Sequence, residues 1–334
     1  MSSIGEFALN DRELAKELAE KYGYHVYMVE RYLKLFGKEE TIKLLEANEK
    51  SLNPVIRCNT LRIDVESLRK RLVEKGLVLE KVPWINYAFQ VIKSPFSLGS
   101  TAEYLLGYYY VHRGMGSLLP VCVLDPKPGE IIIDAAAAPG GKTSQIAQLM
   151  KNKGVILAVD ISRERMKSLR SNLSRLGVEN VIAYRMDARD LPKLGIKADK
   201  ILLDAPCTGE GLIPIDKSRK KSRLIEDIKY CSTLQFSMLA SLLKCLRKGG
   251  VLVYSTCSIA PEENELVVHR ILEKYPLSVE RINLKNGLPG FTEFFGYKVR
   301  DEIREARRFY PHIHGTEGFF ICRLRLKEEL DDKI

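Results

Sequence analysis

The sequence lacks the features that mark disulfide-rich, zinc-binding and membrane-spanning proteins. Its seven cysteines are odd in number and scattered, and no two of them form a Cys-x-x-Cys pair. Neither a disulfide framework nor a zinc knuckle is therefore indicated. No apolar run approaches the roughly 18 residues that a membrane-spanning helix requires, and the N-terminal residues are charged throughout. We expect a soluble, unexported, cytoplasmic protein with reduced thiols, without a metal and without a membrane partner.

The sequence also has no internal repeat and no low-complexity tract, so ordinary globular domains are expected. With 334 residues, 45% of them apolar, the chain is long enough for one large domain and a smaller one. Lysine and arginine number 53 against 43 aspartate and glutamate, which gives a net charge of +10. This excess of positive charge favours polyanionic partners.

Two small units are predicted before the main domain. Apolar residues recur at helical spacing in residues 11–50, which predicts a helical lobe over residues 1–52 with breaks near Gly23 and Gly37. Residues 53–115 follow with a pattern of strand, amphipathic helix, strand and strand, typical of a compact α+β unit. We interpret its tyrosine-rich end, from Tyr104 onward, as the connection to the next domain.

Residues 116–334 predict a doubly wound α/β sheet. Apolar segments that end in IIID, LAVD, YRMD, LLDAP and VYSTCS alternate with stretches of helical periodicity, the last of which is expected to end near Gly249. Strands buried on both faces read as continuous apolar runs, so the sheet should be parallel and Rossmann-like. Ligands of such sheets collect at the carboxyl ends of the strands, where every motif below lies.

The stretch DAAAAPGGKT leaves the first of these strands through small residues and enters a helix, so that backbone N–H groups can face a ligand. Three kinds of nucleotide site compete for it. A P-loop requires glycine where the chain has Ala136, and a dinucleotide fingerprint requires GxGxxG, which is absent. The third kind binds S-adenosylmethionine. Asp160 and Asp187 favour it, because acids at the ends of the next two strands can hold a ribose and an adenine.

Two cysteines follow the last two of these strands. Cys207 lies in LLDAPCTGEG, three residues after Asp204, and Cys257 lies in YSTCSIAPEENE. Together with DAAAAPGGKT, RCNTLR and RRFYPHIHGTEGFFICRL, these motifs closely resemble the RNA cytosine-5 methyltransferases of the NOL1/NOP2/Sun (RsmB/NSUN) family, in its archaeal tRNA-modifying form. The resemblance extends from about Asn53 to Leu324. It implies an S-adenosylmethionine-dependent methyltransferase sheet, mostly parallel with an antiparallel last strand, behind a small unit similar to an RNA-recognition motif.

The resemblance also implies a role for each motif. Cys257 is the implied nucleophile, Cys207 the thiol that assists product release, and Asp204 the group that holds the cytosine edge. Lys142 is interpreted as a helper that either lowers the pKa of the nucleophilic thiol or holds Asp204. The residues implied in binding S-adenosylmethionine are Ala136, Ala137, Ala138, Pro139, Gly140, Gly141, Lys142, Asp160, Arg165, Asp187 and Asp204.

The chemistry explains why two thiols are useful. Carbon 5 of cytosine is a weak nucleophile, but addition of a thiolate to carbon 6 makes it electron-rich enough to take a methyl group. The proton on carbon 5 must then leave before the thiolate is expelled, and this step needs a second group. DNA cytosine-5 methyltransferases use a Pro-Cys cysteine as nucleophile, which would favour Cys207. The CTGEG continuation and the later thiol of Cys257 favour the opposite assignment.

A basic run follows the first thiol. Five cations crowd into seven positions, and we expect them to contact RNA phosphates at the catalytic mouth: Lys217, Arg219, Lys220, Lys221 and Arg223. The small α+β unit adds cations but lacks an aromatic-rich strand, so it is expected to recognise RNA by shape and backbone. A target cytosine within a stack would have to be flipped out to expose carbon 6.

The predicted activity is transfer of a methyl group from S-adenosylmethionine to carbon 5 of cytosine in RNA, through a covalent bond between Cys257 and carbon 6. Transfer RNA is the leading substrate because the chain is compact, and ribosomal RNA is the nearest alternative. A non-catalytic RNA-binding assembly factor on the same fold is the alternative from another class, which the retention of Cys207, Cys257 and Asp204 disfavours. The protein is expected to act as a monomer.

Overall fold

A helical lobe opens the chain. The structure, a computed structural model, describes the backbone of residues 2–284 and 286–330 and, within these ranges, the side chains from residue 11 onward. The lobe consists of α1 (Ser2–Tyr22) and α2 (Val26–Glu49). Gly23, at φ +74°, separates the two helices, and Gly37, at φ +76°, interrupts α2, so both predicted breaks are confirmed. The apolar face of the lobe packs on Ile213, Ile259 and Tyr310 of the main domain.

The next unit is a four-stranded antiparallel sheet in the order β2-β3-β1-β4. Its elements are β1 (Val55–Cys58), α3 (Val65–Glu74), β2 (Val78–Lys81), β3 (Ala88–Lys93), α4 (Ala102–Leu105) and β4 (Tyr109–His112). The interpretation of the tyrosine-rich stretch as a mere connection is wrong, because β4 pairs with β1. Tyr109 is buried and Tyr110 only partly so. The two neighbouring tyrosines thus differ in burial although they are chemically identical. The strand therefore shows no apolar–polar alternation in the sequence.

The main domain follows the predicted alternation of strands and helices. Its first half contains α5 (Leu119–Leu124), β5 (Ile131–Asp134), α6 (Gly141–Leu149), β6 (Val155–Asp160), α7 (Arg163–Leu176), β7 (Val181–Arg185), β8 (Ala198–Asp204) and α8 (Ile225–Leu243). Its second half contains β9 (Leu246–Thr256), α9 (Glu265–Lys274), β10 (Leu277–Glu280), β11 (Leu288–Pro289), β12 (Glu293–Phe294), β13 (Tyr297–Lys298), β14 (Arg307–Phe309), α10 (Pro311–His314) and β15 (Phe319–Leu326).

The central sheet has the order β11-β14-β15-β9-β8-β5-β6-β7, with β10 also paired to β15. From β7 to β9 the strands are parallel, whereas β15 runs antiparallel to β9. The predicted fold class, mostly parallel with an antiparallel last strand, is confirmed. The helix before β9 ends at Leu243, earlier than the expected end near Gly249, because β9 already begins at Leu246 and pairs with β8 there.

Helices cover both faces of the sheet. Ile132 and Leu202 pack with α5 and α6, while their neighbours Ile133, Ile201 and Leu203 pack with α8 and α9. All five side chains are fully buried, which explains why these strands read as continuous apolar runs. Within the described residues, no helix is both long and apolar enough to cross a membrane. The carboxyl ends of β5, β6, β7, β8 and β9 consequently meet at one edge.

Candidate active site

A cavity of about 680 Å³ opens at the carboxyl edge of the parallel strands. Its size falls in the range of ordinary ligand sites. Among the residues that line it are Ala136, Ala137, Ala138, Pro139, Gly141, Lys142, Asp160, Arg165, Asp187, Asp204, Cys207 and Cys257. Folding therefore brings nearly all the predicted catalytic and cofactor-binding residues around one space. Gly140 does not line the cavity, and its contribution is to the turn of the loop.

The loop between β5 and α6 needs its glycines. Gly140 has φ +101°, which strains any residue with a side chain. A Cβ at Gly141 would lie 3.0 Å from the ring of Tyr110. The Thr143 hydroxyl donates to the Asp134 carboxylate over 2.7 Å and joins the end of the strand to the start of the helix. Burial raises the pKa of Asp134 to about 6.

Acids stand at the ends of the next two strands. Asp160 is only 4% exposed and accepts a hydrogen bond from the backbone N–H of Ala138 at 3.2 Å. Arg165 lies 3.5 Å from the same carboxylate and also donates to the Ala138 carbonyl. Asp187 forms an ion pair with Arg189 at 2.6 Å, and the hydrogen bond from Arg189 lowers the pKa of Asp187. Both carboxylates face the cavity ready to accept hydrogen bonds from a ligand.

The two thiols lie side by side. The sulfurs of Cys207 and Cys257 are 3.1 Å apart, although 50 residues separate them in sequence. The hydrogen bond to Cys257, together with burial, raises the pKa of the Cys207 thiol well above its ordinary value. Burial and the neighbouring sulfur thus both disfavour a thiolate at Cys207. Cys257 also interacts electrostatically with the Lys142 ammonium, so it is the better placed of the two to carry negative charge.

Asp204 is held from both sides. Its Oδ2 lies 2.7 Å from the Lys142 ammonium, and its Oδ1 accepts a hydrogen bond from the Ser255 hydroxyl at 2.8 Å. Burial tends to lower the pKa of Lys142, but the carboxylates of Asp204 and Asp134 outweigh it and raise that pKa. Lys142 was expected either to lower the pKa of the nucleophilic thiol or to hold Asp204. The structure shows a direct contact with Asp204. Ser255 was not singled out from the sequence.

Glu263 is a further residue that sequence reasoning missed. It is fully buried and accepts hydrogen bonds from the Thr208 N–H at 2.9 Å, the Thr208 and Ser258 hydroxyls at 2.5 Å each, and the Gln235 amide at 3.1 Å. Thr208 follows the first thiol and Ser258 the second. One carboxylate thus ties the two thiol loops together. The available signal was the acidic PEENE stretch directly after the second thiol.

Replacing Glu263 with alanine should destabilise the fold by about 3 kcal/mol and lower kcat, because several buried donors lose their acceptor. Glu263→Gln is the matched control. Its amide oxygen can still accept from two N–H donors, while the hydroxyls of Thr208 and Ser258 can rotate to accept from its NH₂ group. Thermal unfolding and single-turnover rates measure the two effects. Equal, wild-type rates in both variants would show that Glu263 does not position the thiols.

The basic run divides into two groups. Three side chains donate hydrogen bonds to backbone carbonyls of the helical lobe: Lys217, Lys220 and Lys221. Arg219 and Arg223 instead donate to the Thr208 carbonyl, at 2.9 and 3.2 Å, and line the cavity. The predicted RNA contacts of the run stay a prediction. The two arginines are the members whose side chains lie at the cavity.

Among the described residues, no group of three or more His, Cys, Asp and Glu side chains is arranged to hold a metal ion. His312 and His314 lie in α10, where aromatic rings surround them. Burial lowers the pKa of both imidazoles. They take no part in the cavity described above.

Comparison with known proteins shows close relatives. The chain is 42% identical over 317 residues to a 28S rRNA (cytosine-C(5))-methyltransferase of Mus musculus, a match that covers 93% of this chain and 40% of that one. It is 39% identical over 301 residues to a tRNA (cytosine(49)-C(5))-methyltransferase of Pyrococcus abyssi, covering 89% and 95%. The chain spans 39% to 54% of the length of the first four curated relatives it matches.

Structure and family descriptions agree with these matches. A crystal structure of a methyltransferase homologue from Pyrococcus horikoshii superposes with a TM-score of 0.86 at 45% identity, covering 93% of this chain and 98% of that one. A family described as "16S rRNA methyltransferase RsmB/F" matches residues 121–325, and one described as "N-terminal domain of 16S rRNA methyltransferase RsmF" matches residues 27–112. The chain therefore belongs to the RsmB/F methyltransferases of the NOL1/NOP2/Sun family, and its fold is that of S-adenosylmethionine-dependent methyltransferases.

Proposed function

We propose that this protein transfers a methyl group from S-adenosylmethionine to carbon 5 of cytosine in RNA. The observation that carries the proposal is the pair of sulfurs of Cys207 and Cys257, 3.1 Å apart in one cavity with the carboxylate of Asp204. One sulfur can add to a pyrimidine, and the second thiol can assist removal of the proton that must leave afterwards. A non-catalytic RNA-binding factor would have no use for this arrangement.

The residues of the cavity fit S-adenosylmethionine. The small loop residues before Lys142 let the backbone approach a ligand, and a Cβ at Gly141 would press on the ring of Tyr110, which also lines the cavity. Asp160 is placed to accept from ribose hydroxyls, and Asp187 from an adenine amino group. When bound, the cofactor supplies the methyl group. The protein's contribution is to hold it beside the thiols in a cavity that also admits a base.

Replacing Asp160 with asparagine is expected to weaken binding of S-adenosylmethionine by roughly 10- to 100-fold, since hydrogen bonds to a charged group contribute about 1.5 to 3 kcal/mol. Isothermal titration calorimetry measures this change. Asp190→Asn is the control, because Asp190 pairs with Lys193 on the surface and does not line the cavity. Equal affinity of the two variants would contradict the assignment of Asp160 to the ribose.

The thiols divide the reaction between them. Cys257 is proposed to bond to carbon 6, which moves the electron pair of the ring toward carbon 5 and lets that carbon accept the methyl group. For release, a base takes the carbon-5 proton, the electron pair of that carbon–hydrogen bond forms the double bond between carbons 5 and 6, and the carbon–sulfur bond breaks with its electrons returning to Cys257. Cys207 lies beside that sulfur and is proposed to assist this step by taking the proton in its thiolate form. The chemistry requires both thiols to be reduced, which supports a cytoplasmic location.

Asp204 is proposed to select cytosine. Lys142 and Ser255 fix both of its oxygens, yet each carboxylate oxygen has a further lone pair for the base. A carboxylate accepts a hydrogen bond from the 4-amino group of cytosine, whereas uracil offers a carbonyl at that position. Uracil would therefore place two acceptors against each other, and Asp204 discriminates against it.

Arg219 and Arg223 are proposed to bind RNA phosphates at the mouth of the cavity. Both guanidinium groups line the cavity and hold the Thr208 carbonyl with one N–H, which leaves other N–H donors for a phosphate. The three lysines of the same run hold the helical lobe against the main domain. We therefore assign these three lysines to positioning the helical lobe.

Transfer RNA is the proposed substrate, with ribosomal RNA as the second candidate. The Pyrococcus abyssi relative named as a tRNA (cytosine(49)-C(5))-methyltransferase is matched over 95% of its length. The Mus musculus relative named as a 28S rRNA enzyme is matched over only 40% of its length. The fuller match to the tRNA enzyme supports transfer RNA, and the higher identity to the rRNA enzyme, 42% against 39%, supports ribosomal RNA as the second candidate.

Incubation with methyl-labelled S-adenosylmethionine and purified tRNA or rRNA tests the proposal, followed by bisulfite sequencing of the products. Label at carbon 5 of cytosine in tRNA is the expected result. Label in rRNA alone would assign the second candidate. Absence of label from both RNA pools, with cofactor binding intact, would contradict the proposed activity.

A further inference from the structure

A second groove, of about 450 Å³, lies beside the active-site cavity and is lined mainly by cations. Its lining residues are Arg163, Met166, Lys167, Arg170 and Arg185. The first four lie on one face of α7, since their spacing follows the helical repeat, and Arg185 is the last residue of β7. None of these lining residues is acidic. We call this feature the α7 groove.

The positive charge of the α7 groove is only partly neutralised. Lys167 contacts Glu164 at 3.1 Å, but both side chains are largely exposed, so this pair is weak. Arg170 donates to the Ala183 carbonyl at 3.5 Å, which leaves its charge unpaired. Within the described part of the chain, Arg163 and Arg185 form no ion pair. The groove therefore presents an open positive field to an anion.

The α7 groove adjoins the site of methyl transfer. Arg185 pairs with Asp160 across the β6–β7 ladder, and Arg163 begins the helix that directly follows Asp160. Ile161 and Arg165, on either side of Arg163 in sequence, line the active-site cavity. The first turn of α7 thus separates the two spaces. An RNA strand that reaches the cavity can continue over this turn into the groove.

The length of the groove identifies the kind of anion. From Arg163 to Arg170 the helix rises by about 10 Å. Neighbouring phosphates of a nucleic-acid strand rise by roughly 3.4 Å along its axis and lie farther apart than that along the strand, so the row of cations is long enough for at least two consecutive phosphates. A single inorganic phosphate would engage only part of this row. We propose that the α7 groove binds the sugar-phosphate backbone of the RNA substrate away from the target cytosine, an inference that rests on the proposed function.

The test compares charge removal at the groove with charge removal elsewhere. Arg163→Gln combined with Arg185→Gln removes two of the three unpaired cations, those without any hydrogen bond or ion pair among the described residues. The control, Lys153→Gln combined with Lys248→Gln, removes two exposed cations at the opposite ends of the strands, before β6 and near the start of β9. Arg163→Lys combined with Arg185→Lys keeps both positive charges. This variant shows whether replacing the two side chains by itself impairs folding. Binding of a full-length tRNA transcript is measured over a series of salt concentrations, together with S-adenosylmethionine affinity and wild-type methyl transfer.

The glutamine pair should bind the transcript about tenfold more weakly than wild type near physiological salt, and its plot of log affinity against log salt should be shallower by roughly 1 to 2. The lysine pair and the control pair should behave like wild type, and all variants should bind S-adenosylmethionine equally. Unchanged RNA affinity and salt slope in the glutamine pair would overturn the proposal, as would an equal loss in the control pair. Failure of the wild-type protein to methylate any RNA would instead refute the proposed function, so the two failures are distinguishable.

Discussion

Replacing Cys257 with alanine is expected to abolish methyl transfer, with a loss in kcat on the order of 10⁴-fold or more. Without this sulfur, nothing adds to carbon 6, and carbon 5 stays too weak a nucleophile to take the methyl group. The Lys142 ammonium interacts electrostatically with Cys257, which supports the choice of this sulfur, whereas burial and the neighbouring sulfur raise the pKa of Cys207. Single-turnover transfer of labelled methyl groups measures the loss, and a denaturing gel should show no covalent protein–RNA adduct.

Cys122→Ala is the matched control for this experiment. Cys122 is a partly exposed cysteine on α5 that does not line the active-site cavity, so its removal should leave kcat unchanged. Both variants should bind S-adenosylmethionine with wild-type affinity, which separates loss of chemistry from loss of fold. Substantial turnover by the Cys257→Ala variant would refute the role of this sulfur as nucleophile.

Replacing Cys207 with alanine is expected to have the opposite effect on the adduct. Cys257 can still bond to carbon 6 and the methyl group can still transfer, but release of the product should stall. A gel-stable covalent protein–RNA complex should accumulate, and multiple turnover should fall by roughly 10³-fold, in the range seen when a general acid or base is lost. Denaturing electrophoresis with labelled RNA measures the complex, and its rate of formation should stay near that of wild type.

The double variant Cys207→Ala/Cys257→Ala provides the control for the adduct, because it should form none. If Cys207→Ala formed no adduct while Cys257→Ala did, the two roles would be exchanged, as the DNA cytosine-5 methyltransferases suggest. The 3.1 Å separation of the sulfurs makes this test necessary, since either atom is close enough to the same base.

Much of the fold was predictable from local pattern. Continuous apolar runs such as those around Ile133 and Leu202 identify strands buried on both faces, and alternation with helices then requires a parallel sheet. The strand β4 escaped prediction because Tyr109 pairs with Cys58, about 50 residues upstream, and a run of tyrosines carries no apolar–polar alternation. The early end of α8 likewise depends on pairing of β9 with β8.

Motifs alone identify the groups of the site and their order along the chain: the glycine loop, the acids at the strand ends and the two thiols. How these groups contact each other follows from the folded arrangement of the strands. Pairing of Asp204 with Ser255 across β8 and β9 places the two thiol loops side by side, and Glu263 then joins them. The fold likewise places three lysines of the basic run against the helical lobe, whereas Arg219 and Arg223 face the cavity. The physical reason is that periodicity and motif spacing report local conformation, whereas distances between atoms from different strands depend on the register of the sheet.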